Sequence, residues 1–275
     1  MKVKEQIIEV KDYVTKSNLP ASDYVINPYV GCPHGCKYCY ACFMKRFSKH
    51  DEEWGTFIDI KHCLKPISKK KLEGKTIFLS SVTDCYNPYE ESHCITQGIL
   101  EQLVDIDCIV NISTKSSLIL RDIALLKRFK NLTVSISINT LDEDFRKDMD
   151  HAGRIADRLN TLKVLRENGI YTVLFMSPIF PMITDFQKII ECSSSYVDEY
   201  WFENLNLRGS YKQTILEYIK LKYPQFAKQY EQIYIDGKKD YWENLAIEIE
   251  HYCELHSIKH TNYFYHEKLV EEKKK

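Results

Sequence analysis

The stretch Gly31-Cys32-Pro33-His34-Gly35-Cys36-Lys37-Tyr38-Cys39-Tyr40-Ala41-Cys42 sets three cysteines with three and then two residues between them, directly after the apolar-aromatic run Tyr24-Val25-Ile26-Asn27-Pro28-Tyr29-Val30. Thiolates this close can ligate three irons of a cubic 4Fe-4S cluster, which ordinarily takes four cysteine ligands. Cys32, Cys36 and Cys39 would then leave one iron open to another molecule. An open iron implies chemistry and not only electron storage. The competing reading is a zinc knuckle whose tetrahedral set is completed by Cys42 or His34.

The chain has 275 residues, 44% of them hydrophobic and 28% charged, which suits one large soluble domain or two small ones around a substantial core. Lys and Arg number 38 against 39 Asp and Glu, so no global positive field marks nucleic acid or an anionic membrane as a partner. Residues 1–11 contain no signal-peptide core, and no apolar run is long enough to span a bilayer. The expectation is a cytoplasmic protein without a membrane partner. Its ten cysteines are then expected to be reduced, buried or metal-bound.

Apolar runs of strand length recur at 76–80, 108–113, 132–138, 171–177 and 197–202, with helical stretches at 91–104, 119–129, 155–168 and 185–193 between them. Asn168-Gly169 reads as a helix end and Thr184-Asp185 as a helix start. With the strand at 24–30, interrupted by Asn27-Pro28, this alternation predicts an α/β fold. The expected form is a partial (β/α) TIM-like barrel of about six parallel strands, buried on both faces. Residues 1–24 read as a lead-in, 25–208 as the barrel, and 209–275 as a mainly helical C-terminal extension packed on it. That extension comprises helices at 211–223, 227–234 and 240–255, a last strand at 258–265 and a charged tail from 267. Ligands in such folds bind at the carboxyl ends of the strands.

CxxxCxxC in a loop after the first strand of a β/α chain resembles the signature of the radical S-adenosylmethionine superfamily. The wider context from Asn27 to Ala41 resembles the branch related to spore photoproduct lyase, and within it the family called radical SAM mobile pair protein B. The similarity covers roughly residues 14–208. It implies a 4Fe-4S cluster on Cys32, Cys36 and Cys39, with S-adenosylmethionine chelated at the open iron and a reducing electron donor. A 5'-deoxyadenosyl radical would then abstract hydrogen from a substrate, in chemistry of a lyase or transferase type. A second radical SAM protein as partner is implied by the paired-protein resemblance.

Several positions carry over. Tyr38, before the last ligand, matches an aromatic position near the adenine, and Met176 to Pro181 offers an apolar adenine wall. Ser80, Ser81 and Asp84 sit at the end of the second strand, in the segment matched to the methionyl amine. Thr114-Lys115 ends the third strand and supplies a cation for the methionyl carboxylate, and Ser137 and Asn139 end the fourth. Ser81 stands where the lyase has its hydrogen-donating cysteine, and a serine O–H bond is too strong for that task. Cys85, four residues on, and Tyr40, matched to a proposed radical-relay tyrosine, are the candidate catalytic residues.

Nucleobase or nucleic-acid chemistry is expected only by analogy with the lyase branch. The alternatives are radical modification of a peptide, protein or small molecule, and a non-catalytic zinc or cluster-binding module. Tyr211, Tyr218, Tyr223, Phe226, Tyr230, Tyr234, Tyr241 and Trp242 either stack bases or dock a partner, or form helix-packed core. His151 and Arg154 read as solvated, and Cys42 has no assigned role.

Overall fold

In strands, successive side chains face opposite ways, and here the two faces differ in chemistry. Ile77, Leu79, Val110, Ile112, Val134, Ile136, Leu174, Met176 and Phe202 are all fully buried, whereas their sequence neighbours include Phe78, Asn111, Ser113, Ser135, Ser137, Phe175, Ser177 and Trp201. The aliphatic set packs under helices; Phe202, for instance, meets Phe186 of the helix Phe186–Ser193 edge-on at 6.2 Å. Each such side chain contributes about 1.5–3 kcal/mol on burial. The other set, serines and an asparagine beside the aromatics Phe78, Phe175 and Trp201, faces the barrel interior. The strands are therefore not uniformly apolar, as the sequence reading had them, because an interior that must hold a ligand is lined with serines rather than filled with aliphatics.

The computed structural model describes residues 3–209 and 211–264. Its strands are β1 (Lys4–Glu9), β2 (Val14–Lys16), β3 (Tyr24–Ile26), β4 (Tyr29–Val30), β5 (Phe57–His62), β6 (Thr76–Leu79), β7 (Ile109–Thr114), β8 (Leu132–Ser137), β9 (Tyr171–Ile179), β10 (Glu199–Asn204) and β11 (His260–Asn262). The main sheet has the order β2-β3-β6-β7-β8-β9-β10-β11. β2 and β3 pair antiparallel, and every other neighbouring pair is parallel. This is a largely parallel, partial TIM-like α/β fold. The six expected parallel strands are present, and β11 adds a seventh parallel strand at the edge. Part of the expected last strand, Tyr265, and the tail from 267 lie outside the described residues.

Sequence punctuation sets several boundaries. Asp185 caps Phe186–Ser193 by accepting from the Lys188 N–H at 3.0 Å. Gly169, at φ +77°, closes the turn after Ile155–Glu167. The expected helix at 91–104 is broken at Cys94 into Glu90–His93 and Ile95–Leu103. The stretch at 119–129 opens as a 3-10 turn, Ser117–Asp122, before Ile123–Leu126. Helix Glu143–Met149 has no counterpart in the sequence reading; with Phe145 and Met149 as its buried apolar pair, its periodic signal is short.

Residues 3–24 carry two strands. β1 pairs parallel with β5, and β4 pairs antiparallel with the same strand, forming a second, three-stranded sheet behind the cysteine loop. The break at Asn27-Pro28 thus sends one continuous sequence run into two sheets. The C-terminal helices Tyr211–Lys222, Ala227–Tyr234 and Asp240–Leu255 are held on by their aromatics. Tyr230 donates to the Pro181 carbonyl at 3.1 Å, Tyr234 to that of Leu205 at 2.9 Å, and the Tyr241 hydroxyl accepts from the Met182 N–H at 3.0 Å. These three are packing groups, with their hydroxyls satisfied internally.

Candidate cofactor site at the cysteine loop

The loop from Gly31 to Cys39 is clamped from both sides. Gly31 has φ +86°, and a Cβ there would lie 2.4 Å from the Phe57 carbonyl oxygen, so only glycine permits this approach of the loop to β5. On the opposite side, the Lys37 N–H donates to the Met149 carbonyl at 2.9 Å and the His151 N–H to that of His34 at 2.8 Å. His151, expected to be solvated, has an exposed side chain, yet its ring packs against Gly35. Arg154 is exposed and paired with Asp157.

Cys32 is buried, and Cys36 and Cys39 are partly buried. Burial pushes the Cys32 thiol far up; it pushes Cys36 up to about 12 and also raises Cys39. The charges of Cys36 and Cys39 add to the shift at Cys32, which places the three sulfurs in one electrostatic neighbourhood. The His34 backbone N–H beside Cys32 and the Trp54 side chain beside Cys39 partly offset that rise. A bound cation reverses the balance, since a coordinating thiol is deprotonated outright. Among the described residues, no three His, Cys, Asp or Glu side chains gather closely enough to hold a single metal ion. Cys42 is partly buried on the 3-10 segment Tyr40–Phe47 that follows.

Asp84 ties this loop to the strand ends. It accepts from Thr114 Oγ1 at 2.7 Å, the Lys115 N–H at 2.8 Å and the Tyr86 N–H at 2.9 Å, and pairs with His34 Nε2 at 3.1 Å. Burial opposes its ionisation, but the bond and charge of His34 with the Thr114 and Lys115 donors outweigh it and bring the pKa down to about 2. The carboxylate and the Thr114 hydroxyl are thus engaged within the protein. Ser80, at φ +77°, uses its hydroxyl to accept from the Cys85 N–H at 2.8 Å. Ser81 accepts from Asn27 Nδ2 at 2.9 Å, and its carbonyl accepts from the Tyr40 hydroxyl.

Lys115 projects its ammonium to 6.0 Å from the Tyr38 ring centroid, on the cysteine side. Its charge favours ionisation of Cys36 and Cys39. Ser137 is buried at the end of β8. Among the described residues, two buried side-chain polar atoms have no hydrogen-bond partner, His34 Nδ1 and Asn139 Nδ2. Such orphans are uncommon and mark places where another group completes the bonding. Cys85 is fully enclosed, and burial and the Asp84 charge raise its thiol far above the usual range.

One buried network escaped the sequence reading. The Tyr38 hydroxyl donates to Asp150 at 3.2 Å, and Asp150 pairs with Arg158 at 2.8 Å. Arg158 also donates to the Gly153 carbonyl at 2.8 Å and the Ser137 carbonyl at 3.3 Å, which links the cysteine loop to β8. No spacing rule announces it: Asp150 lies beyond one helix and Arg158 inside the next, where an arginine normally reads as exposed. Tyr38 rests edge-on against Phe180 at 5.4 Å, in the segment expected to form an apolar wall. Arg158→Met leaves Asp150 as a buried charge without this partner and is expected to cost about 3–5 kcal/mol, read as a lowered urea midpoint.

A cysteine triplet clamped on a loop and aimed at strand ends on a partial β/α barrel is how radical S-adenosylmethionine proteins are built. The Radical SAM superfamily profile matches residues 26–191, which include all three cysteines, and the chain belongs to this family. An uncharacterized protein of Methanocaldococcus jannaschii is 36% identical over 79% of this chain and 83% of its own length. A radical SAM Nalpha-GlyT isomerase of Pseudomonas phage M6 is 27% identical over 59% of this chain and 34% of its own. Among solved structures, spore photoproduct lyase complexed with dinucleoside spore photoproduct superposes with a TM-score of 0.59 at 15% identity, covering 80% of this chain. This chain spans 66% of that structure's length.

The family uses a 4Fe-4S cluster and S-adenosylmethionine, requires a reductant, and a mutant spore photoproduct lyase structure contains bound AdoMet. The residues present fit both groups: three thiols on one loop, the Lys115 ammonium whose charge reaches two of them, and orphaned polar atoms on His34 and Asn139. Among the described residues no helix is long and apolar enough to cross a membrane.

Proposed function

We propose that the chain cleaves S-adenosylmethionine reductively and directs the resulting radical at a nucleoside or nucleic-acid substrate. The cluster and S-adenosylmethionine supply electron transfer and a 5'-deoxyadenosyl radical when bound. Cys32, Cys36 and Cys39 hold the cluster, Lys115 pairs with the methionyl carboxylate, and Ser137 and Asn139 bond the cofactor from β8. Asp84 and Asp150 position these groups through His34, Lys115 and Tyr38. The observation that carries this reading is the convergence of Lys115 and the cysteine loop at the strand ends. The nucleoside choice is supported by the names of the phage relative and of the lyase complex.

Tyr40 is 50% exposed as a residue, with its hydroxyl donating to the Ser81 carbonyl, and Cys85 is fully buried; we assign Tyr40 the hydrogen-donor role, its O–H leaving that carbonyl to meet the substrate radical. Its O–H bond would break homolytically toward a substrate radical, and one electron and one proton, from the reductant and solvent, would restore the phenol.

Anaerobic reconstitution tests the proposal. It should give about four irons per chain and reductive formation of 5'-deoxyadenosine. Deuterium placed on the substrate nucleoside should appear in that product. Colourless zinc-bearing protein sinks the whole reading; label arriving instead from a peptide sinks only the substrate class.

A further inference from the structure

The interior face of β9 and β10 carries a wall that the cofactor assignment does not use. Ser137, Phe175 and Trp201 lie side by side across three strands. Trp201 meets Phe175 edge-on at 5.6 Å and Tyr263 at 5.8 Å, while Tyr263 meets Phe175 at 6.2 Å. The indole is fixed, because its Nε1–H donates to Glu199 Oε1 at 2.8 Å. Two residues further toward the carboxyl ends, on the same faces, stand Ser177 and Glu203, whose side chains hydrogen-bond each other. All five of Phe175, Ser177, Trp201, Glu203 and Tyr263 are half-buried, so the wall retains accessible surface.

The two acids on this face differ. Glu199, at the amino end, accepts from Trp201, Tyr171 and Thr261 and pairs with Lys259 at 3.1 Å. It is a fixed part of the floor. Glu203 stands at the carboxyl end, and its charge adds to the burial that raises the phenols of Tyr40 and Tyr263. A carboxylate is an acceptor only, and ionised it prefers N–H donors. Flat aromatic surface beside it suits a planar ring, and enzymes that act on a base outside its stack combine these two elements.

Resting on the nucleoside reading above, we propose that Glu203 is the specificity-determining residue for the substrate base. It accepts from a ring N–H on the Watson–Crick edge while the ring lies against Trp201. Bases with such a proton, thymine at N3 and guanine at N1, are the preferred class. N-methylation at that atom removes the ring donor and adds bulk, so the hydrogen bond from the ring to the carboxylate is lost.

The test measures equilibrium binding of thymidine, guanosine, 3-methylthymidine and 1-methylguanosine to the reconstituted, unreduced holoprotein with S-adenosylmethionine bound. Wild type should bind at least one unmethylated nucleoside at least about ten-fold more tightly than its methylated form. Glu203→Ala should bind the two forms alike, Glu203→Gln should fall between, and Trp201→Leu should weaken both forms together. Unchanged S-adenosylmethionine affinity in each variant shows that the fold is retained. If wild type binds nucleosides but ignores the methyl group, or if Glu203→Ala still discriminates, the role of Glu203 is overturned while the nucleoside reading stands. If none of the four nucleosides binds, the substrate reading itself falls, and this inference with it.

Discussion

Alanine at Cys32, Cys36 or Cys39 is expected to reduce 5'-deoxyadenosine formation to the level of a protein-free control. Three thiolates are the fewest that hold a site-differentiated cluster, and none of the remaining seven cysteines is arranged to substitute. Iron content and the visible absorption of the anaerobically reconstituted protein should fall in parallel. Cys42→Ala, on the 3-10 segment outside the loop, is the internal control and should retain both. A Cys36→Ala variant that still cleaves S-adenosylmethionine at the native rate would falsify the ligand assignment.

The second large effect is structural and centres on Asp84. Removing its carboxylate leaves His34 Nε2, Thr114 Oγ1 and the backbone N–H groups of Lys115 and Tyr86 without that acceptor in a buried setting. Asp84→Ala should therefore lose about 3–5 kcal/mol of stability, and Asp84→Asn, which keeps one acceptor oxygen, less. The pH dependence has a definite sign. The folded pKa of about 2 lies below the ordinary 3.8, so the contribution is fully present above the unfolded value and is lost as pH falls through the folded one. At about 1.36 kcal/mol per unit, it amounts to about 2 kcal/mol. Urea midpoints of cluster-free wild type and Asp84→Asn, compared between pH 6 and pH 2, should converge as the solution is acidified. A constant gap across that window would show that Asp84 is not the carboxylate responsible.

Much of the fold was legible because parallel strands and amphipathic helices announce themselves locally. The six core strands and the helix Ile155–Glu167 fall where apolar runs and a terminal glycine put them. The second sheet was not legible: β1 has a nearly all-exposed pattern and pairs with β5 about fifty residues away. Nothing in a single short strand records its partner. The strand ends were identified as positions, but their roles divided only in three dimensions. Asp84 and Thr114 have their polar groups bonded within the protein, whereas the Lys115 ammonium lies 6.0 Å from the Tyr38 ring centroid and Asn139 Nδ2 has no hydrogen-bond partner.

By itself, then, the sequence determined the family and with it the cofactors, because three cysteines at fixed spacing in a glycine-bearing loop are a local signature that reads the same whatever surrounds them. Tertiary structure decided which groups are spent on holding that loop. Hydrogen bonds such as those of Asp84 and Arg158 join residues from separate elements, and the interior alignment of Ser137, Phe175 and Trp201 exists only through strand register. Such pairings depend on packing between distant segments, which a local pattern of residues does not encode.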